Sequence, residues 1–295
     1  MTAGERATIG LQARKLARRL RVAAKWSSTV ALRGAANGLA AAGKMRRATL
    51  DLVYPAACAS CQVEFADGPP DPSLPLCRAC LDEIELNDGP TCRQCGAPVP
   101  QLRGDRDMPA IHAAKPGGCA RCRGRKLWFD ETIAAGVYSG RLRELLLQMK
   151  RVEGDGLSLA VGQLVWQQCS ERLRAAKADV VVPVPLHWRR RLVHRTNSAA
   201  ILGEVLAGQL QVPLAERLLR RLRHTKPQAS VTRTQRWENV LRAFSVRSAY
   251  HLNNAHVLLV DDILTTGATC SEAARALRKA GAAKITVVVV ARAIH

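Results

Sequence analysis

The stretch Val257-Leu258-Leu259-Val260-Asp261-Asp262-Ile263-Leu264-Thr265-Thr266-Gly267-Ala268-Thr269-Cys270 constrains this chain more than any other. An apolar run bounded by turn residues reads as a strand buried on both faces, which is the signature of a parallel sheet covered by helices. The Thr- and Gly-rich turn and the helical pattern after it complete a β-turn-α unit. Two adjacent carboxylates at the end of such a strand are costly unless they have a task. Open parallel sheets bind ligands just beyond the carboxyl ends of their strands, and Val257–Val260 delivers Asp261 and Asp262 to that edge.

Adjacent carboxylates there accept hydrogen bonds from neighbouring hydroxyls, such as the 2′ and 3′ groups of a ribose. Thr265, Thr266, Gly267, Ala268 and Thr269 supply hydroxyls and closely approachable amides, and the positive end of the following helix points at the same spot. A pair of ribose acceptors beside a 5′-phosphate cradle describes a phosphoribosyl group. A metal-binding acidic pair on a strand end is the alternative these residues leave open.

The rest of the C-terminal half fits this unit. Strands are expected at Thr132–Tyr138, Asp179–Val184, His256–Asp261 and Ile285–Ala291, and helices at Leu142–Lys150, Leu157–Ala175, Ser198–Leu210 and Cys270–Ala280, the last stopped by Gly281. Alternation of the two gives an α/β fold with an open parallel sheet.

Upstream lie eight of the ten cysteines, in four Cys-x-x-Cys units: Cys58/Cys61, Cys77/Cys80, Cys92/Cys95 and Cys119/Cys122, separated by 15, 11 and 23 residues. Each unit points two thiolates at one cation, and two units complete a tetrahedral zinc site. Two structural zincs, shared between adjacent units, are expected. Four-sulfur coordination leaves no open position, so these sites hold a scaffold and do no chemistry. Disulfides are the competing arrangement, and a chain without an export signal keeps its thiols reduced. Cys169 and Cys270 read as ordinary small core residues.

At 295 residues the chain has room for about two domains. The expected division is a basic extension over 1–49, a double zinc ribbon over 50–130 and a sheet domain over 131–295. The formal charge of +21 favours anionic partners: nucleic acid, phosphorylated metabolites or acidic lipid. A soluble protein of Arg-favouring composition accounts for the same charge. Within the first 49 residues Leu11, Leu16, Leu20 and Val22 share a helical face ringed by Arg14, Lys15, Arg18, Arg19 and Arg21, which suits an anionic surface; a passive, frayed extension is the other reading. No apolar run is long enough to span a bilayer and no compact apolar signal core occurs, so a cytoplasmic location is expected.

The Asp-Asp/Thr-Thr-Gly stretch resembles the phosphoribosyl pyrophosphate (PRPP) motif of type I phosphoribosyltransferases. Together with the preceding Cys-x-x-Cys units, "DVVVPVPLHWRRRLVHRTNSAAILG" and "LLRRLRHTKPQASVTRTQRWENVLRAF", the chain from residue 50 onward resembles the ComF family, phosphoribosyltransferase-like proteins associated with competence for DNA uptake. The resemblance implies a Rossmann-like type I phosphoribosyltransferase domain behind a double zinc ribbon. It implies that Asp261 and Asp262 hold the ribose hydroxyls and Thr265, Thr266, Gly267, Ala268 and Thr269 the 5′-phosphate. Pro183, Val184 and Pro185 match a turn near the pyrophosphate. Arg195 and Asn197 keep a family pattern whose aromatic and Gln are replaced by Thr196 and Ser198. Arg221, Arg223, Thr225, Gln228, Arg236 and Asn239 match a mobile hood, with Arg223 joining the two aspartates at the reacting centre. His187, His194 and His224 are read as incidental.

Implied partners are PRPP or a related phosphoribosyl ligand with Mg²⁺, together with single-stranded DNA and proteins of the competence machinery. The resemblance leaves two functions open: phosphoribosyl transfer to an unnamed acceptor, or a catalytically silent PRPP or nucleotide sensor. Release of pyrophosphate discriminates them.

Overall fold

A computed structural model of the chain describes residues 56–66, 68–99, 118–150, 154–186, 197–223, 235–248 and 250–294. The expected basic helix in residues 1–49 lies outside them. By their contacts the described residues form two units, a small one of residues 56–58, 62–66 and 68–69 and a large one of residues 59–61 and 70–294. The small unit is a knuckle: Ala57 bridges Glu64 antiparallel, the Cys58 amide donates to the Val63 carbonyl at 2.8 Å, and Gln62 turns the chain at φ 63°.

In the large unit four parallel strands form an open sheet in the order β1-β6-β5-β2: β1 Glu131–Val137, β2 Val180–Pro183, β5 His256–Leu264 and β6 Lys284–Arg292. Val and Leu dominate these strands because both faces are covered; every β6 residue after Lys284 is buried. The first four helices among the described residues are α1 Arg78–Asp82, α2 Gly140–Gln148, α3 Asp155–Ala176 and α4 Ser198–Leu210. The last is bounded as the sequence predicts.

Helices α3 and α4 pack together on one face of the sheet. The other face carries α6, Ala268–Lys279, with β4 (Phe244–Val246) and α5 (Gln235–Val240) packed against it. Helix α6 ends as predicted at Gly281. That residue takes φ 97°, and the amides of Gly281 and Ala282 return to the carbonyls of Arg278 and Leu277 at 3.0 and 3.1 Å, closing a Schellman motif.

Helices α1 and α5 were not among the expected elements, and the strands depart from them in two ways. Strand β5 does not stop at Asp261: Ile263 and Leu264 still pair with Ala291 and Arg292 of β6, so both acids sit inside the strand. A two-stranded antiparallel sheet, β3 (Leu219–Arg221) with β4, was not foreseen. The outer edge of β1 is also covered. Leu86 bridges Gly136 antiparallel, and the Thr132 amide donates to the Arg93 carbonyl at 2.8 Å, so the ribbon segments cap an edge that would otherwise be open to pairing.

Candidate functional site

The direction of the crossovers locates a crevice. From β2 the chain runs through α4 to Leu214, which bridges Val181 in parallel on the outer side of β2. From β5 it runs through α6, on the opposite face, to β6. The winding therefore reverses between β2 and β5, and an open α/β sheet leaves a crevice at the carboxyl ends of the two strands that flank such a reversal. Pairing between them ends at Pro183 with Val260, leaving Asp261 and Asp262 on the side of β5 that β2 no longer covers.

Each of the two carboxylates is fixed by one oxygen to the next amide in the chain. The Asp262 amide donates to Asp261 Oδ1 at 3.0 Å, and the Ile263 amide to Asp262 Oδ1 at 2.7 Å. The second oxygens meet side chains. The Cys270 thiol, from the first turn of α6, donates to Asp261 Oδ2 at 3.5 Å, and Lys150 Nζ lies 3.0 Å from Asp262 Oδ2. Burial, then the charge of Asp262, pushes the Asp261 carboxyl up to about 7. Burial opposes the Lys150 charge, but the two aspartates outweigh it and hold the ammonium above the ordinary lysine value.

The turn after the acids is built for close approach. Gly267 sits at φ 83°, a conformation other residues rarely adopt, and directly precedes α6. The Ala268 amide donates to Thr266 Oγ1 at 3.3 Å, and Thr266 is buried while Thr265 and Thr269 are partly exposed. From below, the buried Arg292 guanidinium gathers the carbonyls of Leu264, Thr265 and Ala293, the first at 2.7 Å. This staple and the acidic pair fix the start of the loop from both sides.

Opposite it, Asn197 Nδ2 donates to the Val184 carbonyl at 3.1 Å, which joins the start of α4 to the Pro183-Val184-Pro185 turn. In the β3–β4 region Arg221 stacks over the Phe244 ring at 5.3 Å and Arg223 Nη1 donates to the Leu241 carbonyl at 2.8 Å. Arg236 and Asn239 lie on α5. The Arg242 amide donates to the buried Glu272 of α6 at 2.6 Å, so this layer is tied to the helix that follows the loop. Arg195, Thr225 and Gln228, with His187, His194 and His224, lie outside the described residues.

The thiols fall into the two expected groups, Cys58, Cys61, Cys77, Cys80 and Cys92, Cys95, Cys119, Cys122, within each of which all sulfurs lie within 4.8 Å of one another. Tetrahedral zinc with bonds of about 2.3 Å places its sulfurs about 3.8 Å apart. The Cys61–Cys77, Cys92–Cys122, Cys95–Cys119 and Cys119–Cys122 separations are 3.6, 3.8, 3.6 and 3.9 Å. These fit zinc and exceed a disulfide's roughly 2.05 Å. In the second group a hydrogen bond from Cys95 pushes the Cys92 thiol down to about 4, and the same bond, then burial, pushes Cys95 up. The two shifts describe one proton shared between crowded sulfurs, an arrangement that a cation relieves.

Residues 196–295 match the family model for the phosphoribosyl transferase domain, and residues 49–123 that for the double zinc ribbon domain. Competence protein F of Haemophilus influenzae is 27% identical over 222 residues, covering 74% of this chain and 90% of that protein. DNA utilization protein YhgH of Escherichia coli is 27% identical over 243 residues, covering 80% and 96%. Competence protein ComFC of Bacillus subtilis is 25% identical over 222 residues, covering 72% and 81%. These matches support assignment of the chain to the ComF family.

Its fold is thus a type I phosphoribosyltransferase domain with a double zinc ribbon ahead of it. Besides Arg292, sequence reasoning missed three contributors to this candidate site. Lys150 carries no local signal, since a lysine following a helix is ordinary. Cys270 is more than a filler, because its thiol meets Asp261. Trp128, just after the second ribbon, donates its amide to the buried Ser271 of α6 at 3.2 Å, a contact across the chain that no local pattern encodes. No helix among the described residues is long and apolar enough to cross a membrane.

Proposed function

We propose that this protein binds PRPP at the crevice between β2 and β5 and transfers its phosphoribosyl group to an acceptor, in the service of DNA uptake. The observation that carries the reading is a pair of carboxylates with backbone-fixed oxygens, followed at once by a left-handed Gly267 and the start of α6. The names of the relatives support the association with competence.

In this reading Asp261 and Asp262 accept the 2′ and 3′ hydroxyls, and the loop from Thr265 to Thr269 receives the 5′-phosphate. The Pro183-Val184-Pro185 turn borders the diphosphate, which arrives as its Mg²⁺ complex. Arg195, Asn197, Arg221, Arg223, Thr225, Gln228, Arg236 and Asn239 are assigned to the same ligand by the family resemblance. The bond from C1 to the diphosphate oxygen breaks, with its electron pair leaving on pyrophosphate, and the acceptor's lone pair forms the new bond to C1. Positive charge builds on the ribose in between. Excluding water protects that cation from hydrolysis, and cationic side chains offset the charge of the leaving group.

Calorimetric titration with Mg²⁺–PRPP tests the site. Asp261→Asn and Asp262→Asn each remove a charge-assisted hydrogen bond worth roughly 1.5–3 kcal/mol, so affinity falls about ten- to a hundredfold. Variants that bind as tightly as the parent refute the ribose assignment. Binding without pyrophosphate release across nucleobase, amine and water acceptors would assign the fold to sensing and not to transfer.

A further inference from the structure

Adjacent carboxylates repel, and Asp261 and Asp262 repel across a partly buried site. One cation faces them among the described residues. Lys150 follows α2, and its ammonium reaches Asp262 Oδ2 at 3.0 Å while its side chain remains 44% exposed. Its backbone is well held. The preceding residue, Met149, is buried, and its carbonyl accepts Ser198 Oγ at 3.3 Å. Gly154 packs so closely that a Cβ there would lie 2.3 Å from the Met149 carbonyl oxygen. Lys150 is thus anchored to the starts of both α3 and α4, the helix pair on the opposite face of the sheet from α6.

We propose that Lys150 is a positioning residue of the hydroxyl-binding site, holding the outer oxygen of Asp262 and offsetting the repulsion between the two acids so that both face the ribose as acceptors. The proposal rests on the phosphoribosyl reading above. Asp262 Oδ1 is taken by the Ile263 amide, so Oδ2 is the oxygen left to share between Lys150 and a hydroxyl. A carboxylate oxygen has lone pairs for both. On the Asp261 side the corresponding oxygen accepts from a thiol, a weak donor that a hydroxyl readily joins or displaces.

Among the described residues, the other titratable groups facing this cluster are Cys270 of α6 and Tyr138 after β1, the latter acting on Lys150. Burial, then Asp261, pushes the Cys270 thiol well above its usual range, so it stays neutral near pH 7. Loss of the ammonium therefore acts on the acids, raising the pH at which the pair gives up its proton.

The test uses full-length Lys150→Met, which removes the charge and keeps the bulk, and Lys150→Arg, which keeps the charge. Carboxyl ¹³C titration of the ligand-free proteins and Mg²⁺–PRPP affinity are both followed from pH 6 to 9. Lys150→Met should move the Asp261 midpoint upward by about one unit and weaken PRPP about tenfold at pH 7, a deficit that closes toward pH 9. Lys150→Arg should restore both. A midpoint unmoved in Lys150→Met overturns the proposal. So does an affinity loss that is equal at every pH, which marks a purely structural role. A parent protein that binds no PRPP overturns the functional reading and this inference together, whereas a parent that binds, with Lys150→Met indistinguishable from it, overturns the inference alone.

Discussion

The second ribbon and the sheet core are held together by different physics. Around the sheet, two dozen buried residues, mostly Val, Leu and Ala, form one cluster that needs nothing but exclusion from water. Around Cys92, Cys95 and Cys122 the only other fully buried member of the cluster among the described residues is Ala97, so there the metal ligands are the core. A region that buries so little apolar surface cannot offset its own chain entropy. Bound zinc, worth on the order of 10–16 kcal/mol in small zinc domains, supplies what packing does not. Folding of the sheet is therefore written into its composition, and folding of the ribbon into its ligand spacing.

That contrast is most sharply broken or confirmed by metal. Freshly prepared, reduced protein should carry about two zinc per chain by elemental analysis. Cys92→Ser should lose one of them and open the ribbon to protease, by an effect on the order of 10 kcal/mol, while far-UV circular dichroism keeps the helices of the sheet domain. Less than one zinc per chain, or a ribbon still protected after the substitution, would make the region self-sufficient like the sheet.

A smaller effect tests whether the two regions are separable at all. Leu127 packs against both clusters, and one of its methyls lies 3.5 Å from where a Cβ on Gly267 would stand. Leu127→Ala should cost about 1–2 kcal/mol, the low end for truncation because the side chain is only partly buried. It should lower the denaturant midpoint and hasten zinc release to a chelator together. A change in one without the other would show two independent units.

A pH-dependent effect belongs to the sheet alone. Asp261 titrates at about 7 in the folded chain and near 4 in an open one. Between those values the folded state holds a proton that the unfolded state lacks, so this group's contribution is full at low pH and declines as pH rises through the window. Asp261→Asn has no such term. Its melting temperature relative to the parent should climb by a few degrees from pH 5 to 7.5 and level off above, while zinc content stays constant. A difference that does not vary with pH would remove burial of the Asp261 charge as a source of instability.

Much of this was legible in the chain, for local reasons. Strand β5, the loop and α6 follow one another within a single βα unit, and four Cys-x-x-Cys turns declare their own chemistry. What was not legible depends on partners far away in sequence. Strand β5 runs past its acids because β6 still offers pairing as far as Arg292. Strand β3 is three residues long with two arginines, so it has neither the length nor the alternation that marks a strand. Lys150, Trp128 and Arg292 are ordinary residues until the fold brings each of them to the site.

The position of β6 also has a bearing on synthesis. It is the last strand in chain order, yet it lies between β1 and β5, pairing Glu131 with Thr286 and Val257 with Ile285. A nascent chain emerging from the ribosome holds β1 and β5 apart until β6 arrives to be inserted. During that interval the Val-Leu-Leu-Val edge of β5 stands unpaired. Such long-range closure is slow and leaves apolar edges open to other chains. Arg292 travels with β6, so the staple under the loop forms only at this final insertion. The loop after the acidic pair is thus fixed by the same event that pairs this edge of β5.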